Sequence, residues 1–187
     1  MIQSDKFDSS IMDIKKIANS ALLFSIRRLI EIFGFIISSL GLLLLIALST
    51  YSPNDPNFIF PDNSEINNLL GFYGSYVSDL FFQSIGLISY LVPITLFFTG
   101  INIFKKKDIF LLIENIFFII LYSIFGSLFF AFFYSDVFSL FINGNGGFVG
   151  DFVSKTFIKN LISINENISF YFLIILNIIL FFISINF

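Results

Sequence analysis

The sequence predicts an all-α polytopic membrane protein: four transmembrane helices, with an amphipathic interfacial helix before the fourth. The first reason is composition, since 57% of the 187 residues are hydrophobic and only 12% are charged. That charged share is about half of what a soluble domain carries, and a domain this small has too much surface to cover with so little charge. The second is continuity. Mean hydropathy is +0.93, and the apolar residues gather into four runs near the ~20 residues that a helix needs to cross a bilayer. A transmembrane β-barrel would instead show segments of about ten residues with alternating polarity.

The elements follow in order. Residues 1–28 form a tail, of which 1–20 are polar, mixed in charge and expected to be poorly ordered, with Ile11 to Arg28 leading into the membrane as a helix. The first span, 29–48, carries one charge, Glu31. Ala47 and Ser49 suit a signal-peptide cleavage site, but the apolar run exceeds the ~7–15 residues of a signal core, so an uncleaved helix is expected. A loop over 49–84 leads to the second span, 85–104, which is uncharged and interrupted by Pro93. The Lys105–Asp108 turn is short enough to force an antiparallel hairpin, with Asp108 as a cap for the next helix. The third span, 109–133, holds Glu114 in its first two turns. In the second long loop, 134–167, Asp151, Lys155 and Lys159 fall every fourth residue, predicting an amphipathic helix at the interface. The fourth span, 168–185, has Asn177 as its strongly polar interior residue, so residues 29–187 make up the membrane domain.

Orientation is read from the ten basic residues. Lys6, Lys15, Lys16, Arg27 and Arg28 precede the first span, and Lys105, Lys106 and Lys107 join the second to the third. Only Lys155 and Lys159 lie elsewhere, whereas 50–84 has no basic residue and carries Asp55, Asp62, Glu65 and Asp79. The positive-inside rule therefore predicts both termini in the cytoplasm and both long loops outside.

Several chemistries are excluded. With no His and no Cys there is neither an imidazole base nor a thiolate nor a zinc site of nitrogen and sulfur ligands. A net charge of −3 gives no case for direct nucleic-acid binding. The phosphate-binding GxxxxGK[ST] pattern does not occur, and Gly146, Gly147 and Gly150 lack the strand–turn–helix setting of a dinucleotide fingerprint. No cofactor or metal is expected. Small residues recur on the spans, Gly34, Ser38 and Gly41 on the first and Ser123, Ser127 and Ala131 on the third, where they permit close helix contact within or between chains.

Four ordered motifs carry a family resemblance. Ser49 to Pro56, with Pro53, Asp55 and Pro56, is similar to a Ser-aromatic-x-Pro-x-Asp-Pro motif, here with Thr50 inserted before Tyr51. Asn68, Gly71, Gly74 and Asp79 match Asn-x-x-Gly-x-x-Gly-Ala-x-x-Ala-Asp, with Ser75 and Ser78 in place of the alanines. Gly86 and Pro93 fall at the Gly and Pro of the second helix, and Gly146, Gly147 and Gly150 at a Gly-Gly-x-x-Gly before the fourth. From about Arg27 onward the chain thus resembles the N-terminal membrane domain of FtsK/SpoIIIE-type bacterial DNA translocases. The resemblance implies an inner-membrane anchor at the division septum that contacts other divisome membrane proteins and associates with itself. It implies no ATPase or DNA-translocating activity in these 187 residues, which contain neither the linker nor the motor. The alternative is a small ion or solute transporter or channel using Glu31, Glu114 and Pro93 as its pathway. A membrane enzyme is the weakest reading, since Asp136 and Asp151 make no convincing acid/base pair.

Overall fold

A computed structural model of the chain describes residues 2–56, 65–135, 143–156 and 158–186, with side chains from residue 15 onward. Asp62 and Asp136 lie outside the described residues. The described residues contain helices and no strand: α1 (Ile2–Ser49), α2 (Gly71–Ile85), a 3-10 turn (Gly86–Tyr90), α3 (Leu91–Lys106), α4 (Phe110–Phe133), α5 (Gly147–Ser154), α6 (Ile158–Ile164) and α7 (Glu166–Ser184). Four segments among them are long and apolar enough to cross a membrane: 15–49, 71–106, 110–133 and 166–184. Leu29, Phe35, Phe117, Ile120 and Phe172 on their outer faces are exposed, as lipid-facing side chains must be.

The helices pack in two seams. In the first, α1 lies on α3 because small residues let the backbones touch. A Cβ on Gly34 would meet the Gly100 carbonyl at 2.7 Å, and one on Gly41 would meet the Phe97 nitrogen at 2.7 Å. Ser38 donates to the Phe97 carbonyl across the same seam at 2.8 Å. In the second, α4 lies on α7 through aromatic rings, with Phe170 5.3 Å from Phe129 and 5.1 Å from Phe133. Leu44, Leu48, Phe82, Ile88, Val92, Tyr122 and Leu180 form the core where the seams meet. The small-residue contacts of Gly34, Ser38 and Gly41 are therefore made within one chain.

Three expectations are corrected. The tail is helical from Ile2, continuous with the first span, where residues 1–20 were expected to be poorly ordered. The second span is interrupted at Gly86 and not at Pro93. Gly86 adopts φ +70°, ψ −147°, a conformation open essentially to glycine alone, and a 3-10 turn follows it. Pro93 is the third residue of α3, in the first turn, where a missing N–H costs little. The interfacial helix is two short helices, α5 and α6. Asp151 and Lys155 pair at 2.6 Å, but Ser154 and Thr156 hydroxyls take the carbonyls of Asp151 and Val153, competing with the helix just where it ends.

Candidate functional site

The motif residues gather at the end of the bundle where α1 finishes, here the loop end; Arg27, Arg28 and Lys105–Lys107 lie at the opposite, basic end. Pro53 and Asn54 are exposed in a turn that swings Asp55 inward, leaving it 4% exposed. No basic side chain pairs with Asp55 among the described residues; three N–H groups hold it instead. One carboxylate oxygen accepts from the backbone and side-chain nitrogens of Asn67 at 2.9 and 3.0 Å. The other accepts from the Asn68 backbone at 2.8 Å. Asn68 then closes α1: its side-chain nitrogen donates to the Ala47 and Thr50 carbonyls at 2.8 and 3.2 Å, groups a helix end leaves without partners.

Asn68 also sets the start of α2. Its side-chain oxygen accepts from Leu70 N–H at 3.1 Å and lies where a Cβ on Gly74 would stand. Gly71 is the first residue of α2. Ser75, one turn on, donates to the Pro56 carbonyl at 2.6 Å. Asp79, 3% exposed, accepts from the Tyr51 hydroxyl at 3.1 Å. Burial, and after it the Asp79 charge, pushes the Tyr51 hydroxyl above its ordinary value. The Tyr51 ring packs on Phe82 with centroids 4.9 Å apart. The two loop motifs are thus one buried lock, with the first threaded onto the second.

The glycines of the second loop build a neighbouring clamp. The Asn145 carbonyl accepts Leu87 N–H at 2.9 Å, just past Gly86, and occupies the place of a Gly86 side chain. Gly147, at φ +62°, lies against the Ile85 and Gly86 nitrogens. Gly146 and Gly150 lie against Ser127 and Ala131 of α4, and Ser127 donates to the Ile85 carbonyl at 2.8 Å. Pro93 is apart from both clusters, in the α1–α3 seam beside Gly41.

A third polar cluster inside the bundle was not anticipated from the sequence. The Thr95 hydroxyl lies 3.1 Å from the Tyr122 hydroxyl and 3.0 Å from that of Ser184, all three in the interior. Thr99 donates to the Thr95 carbonyl, and the Asn115 side chain donates to Thr99 at 2.7 Å and to Asn186 at 3.1 Å. Asn102 donates to the Ile185 carbonyl at 3.1 Å. This ladder joins α3, α4 and the end of α7. Its signal was present: Thr95, Thr99 and Asn102 recur at helical spacing on one face of α3.

Glu31 and Glu114 do not share a path. Glu31 is neutralised by Arg28 and Lys107 at 2.6 Å each, while Glu114 is exposed on the outer face of α4. Among the described residues no group of His, Cys, Asp and Glu could hold a metal ion.

Comparison with known proteins follows the same region. Over 77 residues the chain is 32% identical to the DNA translocase FtsK of Rickettsia bellii, covering 41% of this chain and 10% of that protein. It is 31% identical over 88 residues to the FtsK of Azospirillum brasilense, covering 46% of this chain and 14% of the relative. Against the FtsK of Vibrio vulnificus the figures are 33% over 103 residues, 53% of this chain and 10% of the relative. The chain therefore spans about a tenth of the length of these relatives, matching the membrane region and not the motor. No solved structure matches it. Residues 26–186 match the family described as the 4TM region of DNA translocase FtsK/SpoIIIE, and the chain belongs to that family.

Proposed function

We propose that this chain anchors a bacterial cell-division DNA translocase in the inner membrane at the division septum, with both termini in the cytoplasm. Its 187 residues hold the assembly in place and carry no motor chemistry. The observation that supports this reading best is the polar ladder ending on Ile185 and Asn186. A tether leaving α7 pulls on a segment held by Asn102 at the Ile185 carbonyl and by Asn115 at the Asn186 side chain, so load passes into α3 and α4 instead of peeling α7 away. The loop end, locked by Asp55, Asn68 and Asp79 and clamped by Gly86, Gly146, Gly147 and Gly150, presents a stiff surface to other divisome membrane proteins and to further copies of the chain.

Orientation rests on the eight basic residues at the termini-bearing side against two in the loops. A fluorescent fusion of the chain is expected to concentrate at the septum of dividing cells; even labelling of the whole envelope would overturn septal anchoring. Reporter fusions at Asn57 and Asn143 are expected outside, and fusions at Lys106 and Phe187 in the cytoplasm. A cytoplasmic Asn57 reporter would reverse the topology.

A further inference from the structure

At the basic end, the two walls of the α1–α3 seam divide their cations into two kinds. Arg28 and Lys107 are used internally: each pairs with Glu31 at 2.6 Å, and each lies over a ring, Arg28 5.0 Å from the Phe24 centroid and Lys107 4.5 Å from that of Phe104. Their sequence neighbours Arg27 and Lys106 form no ion pair among the described residues. These two line, from opposite helices, a groove of about 650 Å³ that also contains Ile30 and Glu31. Four cations stand there against one carboxylate, so the groove is strongly positive.

Deeper along the same two helices runs a second groove of about 310 Å³, lined by Phe35, Ser38, Leu42, Phe97, Ile101 and Phe104 among others. Its two hydroxyls, those of Ser38 and Ser39, are already committed to the Phe97 and Phe35 carbonyls. Phe104 links the grooves, lining the deeper one while its ring carries Lys107. A positive mouth at the end of the helices, continuing into an apolar channel facing the hydrocarbon, matches a molecule with an anionic head and an apolar chain. Basic pockets between transmembrane helices recognise lipid phosphates in this way.

We infer that the α1–α3 seam holds one anionic phospholipid, its phosphate between Arg27 and Lys106 and one acyl chain running past Ile30 and Phe104 into the deeper groove. Free phosphate would satisfy the cations but leave the apolar channel unused. Such a lipid site is independent of septal anchoring.

The test uses the full chain in phosphatidylcholine vesicles carrying spin-labelled phosphatidylglycerol or spin-labelled phosphatidylcholine, with the immobilised fraction read by electron paramagnetic resonance. Phosphatidylglycerol is expected to be preferred, and the double variant Arg27→Gln/Lys106→Gln to lower that preference about fivefold or more. The double variant Lys155→Gln/Lys159→Gln removes the same charge at the loop end and is expected to leave it unchanged. Ile101→Trp, which fills the deeper groove without altering charge, is expected to lower retention as well; circular dichroism checks that each variant keeps its helix content. Inorganic phosphate, at ionic strength matched with sodium chloride, is expected not to displace the label. Equal preference in wild type and Arg27→Gln/Lys106→Gln, an equal loss in the loop-end variant, or displacement by inorganic phosphate would each overturn the site.

Discussion

The loop end and the interior ladder both bury polar groups, but they solve the problem with opposite materials. At the loop end a full carboxylate, Asp55, is taken out of water and held by three N–H donors, two of them backbone. In the ladder no charge is buried; neutral hydroxyls and amides of Thr95, Tyr122, Ser184, Thr99 and Asn115 satisfy one another. The difference follows from the backbone available. A loop has free N–H groups to offer an anion, whereas a transmembrane helix has spent its own on the i−4 carbonyls. Acceptors in the ladder must therefore find side-chain donors, while hydroxyl and amide donors can still use carbonyls, as Thr99 and Asn102 do. Asn115 illustrates the cost: its amide nitrogen donates two hydrogen bonds, but its buried oxygen has no hydrogen-bond partner among the described residues.

That contrast predicts a steep order of sensitivity. Asp55→Ala is expected to cost most, about 3–5 kcal/mol, because it strands the buried Asn68 N–H and removes the charged acceptor of two further Asn67 donors. Reversible unfolding of the reconstituted chain measures it, and a loss below about 1 kcal/mol would mean that the loop motif merely decorates the bundle. Gly86→Ala comes next, at about 2–4 kcal/mol, since it combines a glycine-only conformation with collision against the Asn145 carbonyl. Inside the ladder, Asn115→Leu is expected to cost only ~1–2 kcal/mol, as polar contacts within membranes are worth less than their isolation suggests. A loss equal to that of Asp55→Ala would erase the distinction between the two regions.

The smaller effects sharpen it further. The Tyr51 hydroxyl has its folded-state value raised, so its contribution is complete below the ordinary tyrosine value of about 10 and is lost as pH rises through the folded value. Wild type should accordingly weaken in strong alkali, and Tyr51→Phe should flatten that decline; an unchanged alkaline limb would remove Tyr51 from the lock. Lys155→Ala breaks an exposed ion pair on α5 and is expected to change stability by only ~0.3 kcal/mol.

How much of this was legible depended on the chemistry of each residue. Asp55, Pro56, Asn68 and Gly74 stand out because turns and close approaches demand unusual residue types, which a sequence displays openly. The α5 and α6 segment reads as one helix in the sequence because Asp151, Lys155 and Lys159 keep helical spacing; Ser154 and Thr156, which compete for the carbonyls where α5 ends, leave that periodicity intact. Pro93 drew attention as a helix breaker, yet a proline's effect depends on where its helix begins, and Gly86 sets that. Thr95, Thr99 and Asn115 are inconspicuous in the sequence because one hydroxyl or amide per turn scarcely lowers the hydropathy of an apolar helix, and the bonds that join them reach across helices.

The sequence by itself determined the class of the protein, its four spans and the asymmetric placement of its basic residues, because solvent preference is a local property summed along the chain. Which surfaces meet was decided only by the tertiary structure. Gly34, Ser38 and Gly41 face α3 of the same chain, Ser127 and Ala131 receive the α5 glycines, and Asp79 reaches back to Tyr51. Close packing and hydrogen bonding select partners by shape and distance in three dimensions, and spacing along one helix does not encode the face of another.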